Sequence, residues 1–541
     1  MSICTGSDFY NFNYNWVCGN LSTGDGGGLG HIGFSWNGDI EHNSILFNQA
    51  TNPSIQANGG GILIMGAGPD GTTTGGVECG SVTDNDCAPG LGDGTGPSLK
   101  INANLIQGNA ADAGSGGGLR LQAVNGTDIA RNPNPVQGLG IASPTCASQT
   151  NALGLLTCQW YVVSVTNNII VNNVAGWDGG GVSLEDALAV NLTNNTIVSN
   201  DTTASSGVLF NTLGAPNASS QSPAPQCLTQ TGGTASCPQP AGLVSMQNSP
   251  QLTSSLTTGT VVCPPGYYAP GTSASHGSCT QISYPALYNN IFWQNRSFDI
   301  TVGPLGTGTQ NQQSVVTLYN ANFPPATSGT AAVSQSATGA CPGGSSYWDI
   351  GVRNDSGPLN HAGFALNPLF GVLTSTTGYS STNSSANPLA ISQYCNGSRV
   401  PPENGGLGYQ VPPGVADAVV PNPVFSLTPT ATVDEGNNWV NISWGPLSIL
   451  NPVTSSSMAN VFVGNYSLQS TSPAINAIPC SASTGGVCTV TLPAGSSGVT
   501  SIKAPSTDFF GHPRPDTTTG CTTAGSKGAC IDVGAVEVTG H

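Results

Sequence analysis

Asp39 and Glu41 stand two residues apart, with His42 beside them. On a strand, residues i and i+2 share a face, so the two carboxylates lie about 6–7 Å apart, a spacing that suits a glycosidase acid and base. Alternating charge is also the ordinary solvent face of a strand. A second set, Asp25, Asn58, Ser115 and Asp178, holds one equivalent place, directly before Gly-Gly-Gly triplets at 26–28, 59–61, 116–118 and 179–181. Stacked in a column, these residues offer a calcium site or an acid pair; as short polar side chains they also cap turns. Glu185, followed by Asp186, lies just past the fourth triplet and joins Asp178 as a candidate pair. Asp84, Asp86 and Asp93 bring carboxylates suited to calcium, without a complete loop consensus. Trp160, Tyr161, Trp177 and Trp293 are candidates for stacking on sugar rings, or for packing at corners. His31 reads as a coil position rather than a ligand.

These side chains need elements to hold them, and the elements repeat. Each glycine triplet leads into a short strand: Leu29-Gly30-His31, Ile62-Leu63-Ile64, Leu119-Arg120-Leu121 and Val182-Ser183-Leu184. A second element, Asn-x-Ile/Phe-x-x-Asn, recurs as Asn43/Ile45/Asn48, Asn104/Ile106/Asn109, Asn168/Ile170/Asn173, Asn195/Ile197/Asn200 and Asn290/Phe292/Asn295. Apolar residues precede it at alternate positions, as at Val163 and Val165, so they face one interior. The parity changes between Val165 and Ile170, which requires a corner at Asn167-Asn168, and Asn tolerates the left-handed backbone of a corner. Identical Asn residues in successive coils stack into a hydrogen-bonded ladder. The pattern predicts a parallel β-solenoid whose coils hold three short strands and three turns.

The Asn-Asn-x-Ile-x-x-Asn run followed by Gly-Gly-Gly resembles the right-handed parallel β-helix repeats of pectate-lyase-like proteins. Ser472-Pro473-Ala474-Ile475-Asn476-Ala477, then Asp508 to Pro515, then Ile531-Asp532-Val533-Gly534-Ala535-Val536-Glu537 resemble the end of bacterial surface proteins with a choice-of-anchor module. Asn476 and Val533 depart from that pattern. The resemblance implies an all-β fold: a right-handed parallel β-helix with disulfide-pinned loop insertions and a small C-terminal β module. Because a solenoid ends in open strands, the module from about 420 is expected to serve as one cap. Residues 1–325 form the coils, 326–419 a Cys-clamped insertion or a continuation, and 420–541 the module. A polyuronate lyase of this fold uses Lys or Arg with calcium, and the repeats offer only Lys100, Arg120, Arg131 and Arg296. The motifs of polygalacturonase-like hydrolases are missing.

The 16 Cys fall into neighbouring couples: Cys4 with Cys18, Cys79 with Cys87, Cys146 with Cys158, Cys227 with Cys237, Cys263 with Cys279, Cys341 with Cys395, Cys480 with Cys488 and Cys521 with Cys530. No Cys-x-x-Cys occurs, so local disulfides and an oxidising, extracellular or cell-surface compartment are expected. The opening residues carry no export signal and read as the interior of a longer exported precursor. Nine Lys plus Arg against 26 Asp plus Glu leave a net charge of −17, which excludes a phosphate-binding surface and hence nucleic-acid partners. No apolar run reaches membrane-span length. The function expected is a secreted or cell-surface scaffold, structural, adhesive or glycan-contacting; the alternative is a polysaccharide-cleaving hydrolase or lyase. No cofactor is expected beyond calcium. Open solenoid ends predict a neighbour, by end-to-end self-assembly or through an upstream domain of the same precursor. A Cys4–Cys18 loop folded over the first coil is the monomeric alternative.

Overall fold

In the computed structural model, the described residues are 1–67 (without 36, 53 and 54), 94–124 (without 97), 163–206 (without 189 and 205), 238–255, 281–305, 314–321, 345–390 (without 356 and 360–365) and 466–538 (without 483–487, 493–500 and 516–528). Short strands with one apolar residue per pleat cannot bury that face alone, and stacking solves this. Leu29, Ile62, Leu119, Val182, Leu243 and Ile350 fall in one column, each pairing with the next in parallel register. Ile40, Ile101, Val165, Leu192 and Leu287 form a second column, and Val17, Ile45, Ile106, Ile170, Ile197, Phe292 and Leu373 a third. All are buried in one continuous core, and each contributes about 1.5–3 kcal/mol.

The chain is a parallel β-solenoid. Its strands form four stacked walls of seven, six, seven and seven strands, here called A to D in the order a coil visits them. The fifth coil is representative: Val182–Glu185, Val190–Thr193, Thr196–Val198 and Asp201–Thr202. Three walls were expected and four are found. The extra strands, such as Gln49–Ala50 and Ala110–Ala111, are two residues long and too short to show an alternation. Insertions leave without disturbing register; Ile350–Val352 and Val372–Leu373 still extend walls A and C, so part of the 326–419 stretch continues the solenoid. Helix is confined, among the described residues, to Pro250–Ser255.

The Asn pairs form two ladders, at the B–C and C–D corners. Asn15, Asn43, Asn104, Asn168, Asn195 and Asn290 make the first, Asn20, Asn48, Asn109, Asn173, Asn200 and Asn295 the second. In each rung the backbone N–H and Nδ2 of one Asn donate to Oδ1 of the next, as from Asn109 to Asn173 at 2.9 Å. Nδ2 also donates to a backbone carbonyl, Ile45 for Asn109. The residue before each ladder Asn has positive φ, including His42 at 53° and Phe47 at 54°. The glycine triplets belong to the same device. A Cβ on Gly118 would crowd the Asn173 carboxamide, and one on Gly117 would be driven into the Val174 carbonyl.

At the last coil the second ladder ends on Asp349, which stands in the column of Gly242 directly before Ile350. Its Oδ1 accepts from Asn295 N and Nδ2, and its Oδ2 accepts from Thr374 N at 2.7 Å. An acceptor-only side chain fits there because donors approach from both sides. Burial is the larger influence and pushes the Asp349 carboxyl up to about 6, against its hydrogen bonds. Burial likewise pushes Asp355 up to about 7.

The C-terminal residues form an antiparallel sheet around Ile478–Ala482. This sheet was expected to cap an end; instead its segment lies along the outer face of wall C. Ala535 N donates to Thr196 Oγ1 at 3.0 Å and Gly534 N to Asn289 O at 2.8 Å. Ile169, Val171, Val198, Ile291 and Trp293, which point out of wall C, pack there against Ala474, Ile475, Val533 and Ala535. The motif residues hold the segment itself together. Asp508 accepts from the N–H groups of Phe510, His512 and Glu537, Asp532 from those of Asn476 and Val538, and Arg514 faces Glu537 at 3.3 Å.

Cys480 and Cys488 are disulfide-bonded, and Cys530 is bonded to a partner outside the described residues. Cys4 and Cys18 are free thiols, which corrects that couple: Cys4 lies on wall A and Cys18 on wall C, with wall B between them. The first 22 residues are therefore a coil and not a stapled loop. Five expected couples lie wholly outside the described residues: Cys79 with Cys87, Cys146 with Cys158, Cys227 with Cys237, Cys263 with Cys279, and Cys341 with Cys395. Cys521, the expected partner of Cys530, lies outside them too. Of the eight couples, the pairing itself is therefore seen only for Cys480 and Cys488.

Asn109→Ala removes one fully buried rung and orphans donors and acceptors on both sides, each worth about 1–3 kcal/mol. It is expected to cost roughly 3 kcal/mol or more in urea unfolding, whereas Asn20→Ala at the exposed first coil costs under about 1 kcal/mol. The pH dependence has a definite sign. Asp349 and Asp355 are held above their ordinary 3.8, so their contribution is complete below about pH 4 and is lost as pH rises through about 6 and 7. Thermal midpoints are expected to fall from pH 4 to pH 8, and Asp355→Asn to flatten the upper part of that fall.

Candidate functional site

Over its first five strands the outer face of wall B is a strip of polar side chains, two per rung. Asn11, Asp39, Lys100, Ser164 and Asn191 form one row, and Asn13, Glu41, Asn102, Thr166 and Thr193 the other. The rows arise because every second strand residue must face outward. Lys100 Nζ lies 3.2 Å from Asp39, both partly exposed. Asn13 Oδ1 accepts from Glu41 N, and Asn102 Oδ1 from Thr166 Oγ1 at 2.8 Å. The Glu41 carboxyl is raised, first by burial and second by the charge of Asp39, while Lys100, His42 and Asn102 oppose. At the adjoining corner, the Tyr14 and His42 rings stack at 5.0 Å. The strip offers amides, hydroxyls and carboxyls at the interstrand spacing of about 4.8 Å. These groups are hydrogen-bond donors and acceptors of the kind that hydroxyl groups pair with.

The outer face of wall A collects the other sequence candidates and ties them down. Asp178, fully buried, is gripped by Arg353, whose Nη2 lies 3.0 Å from Oδ1 and 2.7 Å from Ser115 Oγ. The Arg353 guanidinium lies 4.0 Å over the Trp177 ring. Glu185 is paired with the buried Arg120, which also donates to Ser183 Oγ at 2.7 Å. Asp178 and Glu185 therefore belong to two separate ion pairs, not to one acid dyad. Lower in the column, Asp25 Oδ1 accepts from Asn58 N at 2.7 Å and Asn58 Oδ1 from Ser115 N at 2.9 Å, which is turn capping. Burial raises Asp25.

Trp177 is 6% and Trp293 7% exposed, so neither lines a sugar groove: one is roofed by Arg353, the other by the C-terminal segment. Trp160, Tyr161, Asp84, Asp86 and Asp93 lie outside the described residues. Among the described residues no three metal-ligating side chains stand together. His31 points into the core, receives Tyr10 OH on Nδ1 at 2.8 Å, and is driven down to about 4 by burial. Arg353 is the participant that sequence reasoning missed. Its coil lacks both the glycine triplet and the Asn pair, and only the short alternating run Ile350–Val352 marks it. No protein-family profile matches the chain, and neither curated proteins nor solved structures give a match.

Arg353→Met leaves the Asp178 carboxylate buried without its partner. A loss of about 3–5 kcal/mol in urea unfolding is expected, recovered in part when Asp178→Asn is added.

Proposed function

We propose that this protein is an exported scaffold of the pectate-lyase-like β-helix type that contacts neutral glycans through the wall B strip and does not cleave them. One observation carries the reading. Every described cation of the coils is matched to a carboxylate: Lys100 to Asp39, Arg120 to Glu185, Arg296 to Asp201 and Arg353 to Asp178. A lyase needs such a cation free to neutralise a uronate and take its proton, and a hydrolase needs two unencumbered carboxyls. The net charge of −17 also disfavours acidic polymers. Rows of Asn, Ser and Thr are good partners for sugar hydroxyls. The disulfides support the exported setting, and the choice-of-anchor resemblance supports a bacterial surface.

A second reading rests on Glu41, whose raised carboxyl could act as a general acid beside Asp39 on the open strip. A panel of neutral and acidic polysaccharides separates the two. The scaffold reading expects retention on a neutral glycan, weakened when Asn102 and Thr166 are replaced by Ala, with no new reducing ends and no unsaturated uronates. Reducing ends that vanish in Glu41→Gln would put the hydrolase in its place.

A further inference from the structure

After Val372–Leu373 the chain turns back across its own coil and is pinned there at two points. Thr374 N donates to Asp349 Oδ2 at 2.7 Å, and Tyr379 OH donates to Ile350 O at 3.3 Å. Between this arch and the coil lies a cavity of about 250 Å³. At about 30 Å³ for each water-sized group, it has room for a ligand of about eight non-hydrogen atoms. The rings of Tyr347, Trp348 and Tyr379 line it, together with Ile350 and Leu373. Leu359 also lines it and is 65% exposed, so the cavity reaches solvent on that side. Ser375 and Thr377, both exposed, add hydroxyls to the lining.

The charge around this cavity is negative. Asp349 lines it, is 8% exposed, and takes its hydrogen bonds from neutral donors on Asn295 and Thr374. Asp355 acts on the same lining: the Tyr379 hydroxyl is pushed well up, first by burial and then by the charges of Asp349 and Asp355. Arg296, whose strand meets Tyr347, is taken up by Asp201 through bonds of 3.0 and 2.8 Å. A carboxylate held out of water without a countercharge is costly, and aromatic rings present negative faces to what lies over them. A cation wrapped in methyl groups answers both conditions, since its body suits the apolar lining and its charge suits the rings and the carboxylate. We propose that the cavity binds a small quaternary ammonium compound, with its methyl groups against Tyr347, Trp348 and Tyr379 and its charge toward Asp349. The exposed hydroxyls of Ser375 and Thr377 suit a short polar tail on that cation. The site shares no residue with the wall B strip and does not depend on glycan contact there.

The probe is choline, titrated calorimetrically into the full chain at about pH 8, where Asp349 and Asp355 are ionised. Saturable binding with a Kd of about 1 mM or tighter is expected. The neutral carbon isostere of choline, with a tert-butyl group in place of the trimethylammonium, is expected to bind at least about tenfold more weakly, about 1.4 kcal/mol. Asp349→Asn is expected to weaken choline by a similar factor. Because that change also touches the end of the Asn ladder, Leu359→Lys serves as a second variant at an exposed position. The added cation is expected to weaken choline at least about threefold, while Leu359→Met leaves binding unchanged. No saturation up to about 10 mM overturns the proposal. Equal affinity for the isostere also overturns it and leaves an apolar cleft. Binding that Leu359→Lys does not alter overturns it too, and leaves only the general attraction of a cation to an acidic chain.

Discussion

A parallel solenoid buries its corners, and a buried corner leaves peptide groups that no strand can pair. The next coil must supply both a donor and an acceptor at the same spot, every time. Asn does this because its carboxamide offers both, at a length that spans one rung. The rest of the architecture follows. The residue before each Asn adopts left-handed angles even where it is Phe47 or His42, residues for which this conformation is costly. Glycine stands opposite the second ladder because a side chain would displace the carboxamide. Where the stack ends, the amide gives way to the carboxylate of Asp349.

Much of this was written in spacing. The Asn pairs and the glycine triplets each mark one corner per coil, and the strands between them alternate plainly. That the two motifs touch was not visible, since contact at Gly118 and Asn173 depends on how a coil closes in space. The left-handed corner was visible at Asn167, whose φ is 54°, but not at Ala103, Phe47 and Ser199, which carry no preference for it. Proximity in sequence also misled at Cys4 and Cys18, which one coil carries to different walls. The candidate site was legible in part. Asp39 and Glu41 share a face, as strand geometry requires. The fate of Asp178 was hidden because its partner lies 175 residues away, in a coil without the marker motifs. The aromatic candidates Trp177 and Trp293 misled, since an outward-facing ring on a solenoid can be roofed by later chain.

Charge distribution explains why the two outer faces differ. With nine basic residues in the chain, a cation placed on wall A is unavailable to wall B. Wall A holds Arg120 and Arg353 nearly out of water, where each must be matched by a carboxylate. Wall B keeps a single cation among amides and hydroxyls. One face is thus locked and the other remains open to solvent.

The lateral position of the C-terminal segment bears on the order of events during synthesis. Asn194 is held by the carbonyls of Asp532 and Gly534, 338 and 340 residues later. Coils stack from neighbour to neighbour and can begin to close as the chain emerges. The outer apolar stripe from Ile169 to Trp293, however, stays wet until Ala474 to Ala535 arrive. A ribosome that stalls, or a protease that trims early, therefore leaves a greasy flank on an otherwise ordered rod, the kind of surface that chaperones recognise. Only a chain that extends through Ala535 conceals that flank, so Ala474, Ile475, Val533 and Ala535 together act as its seal.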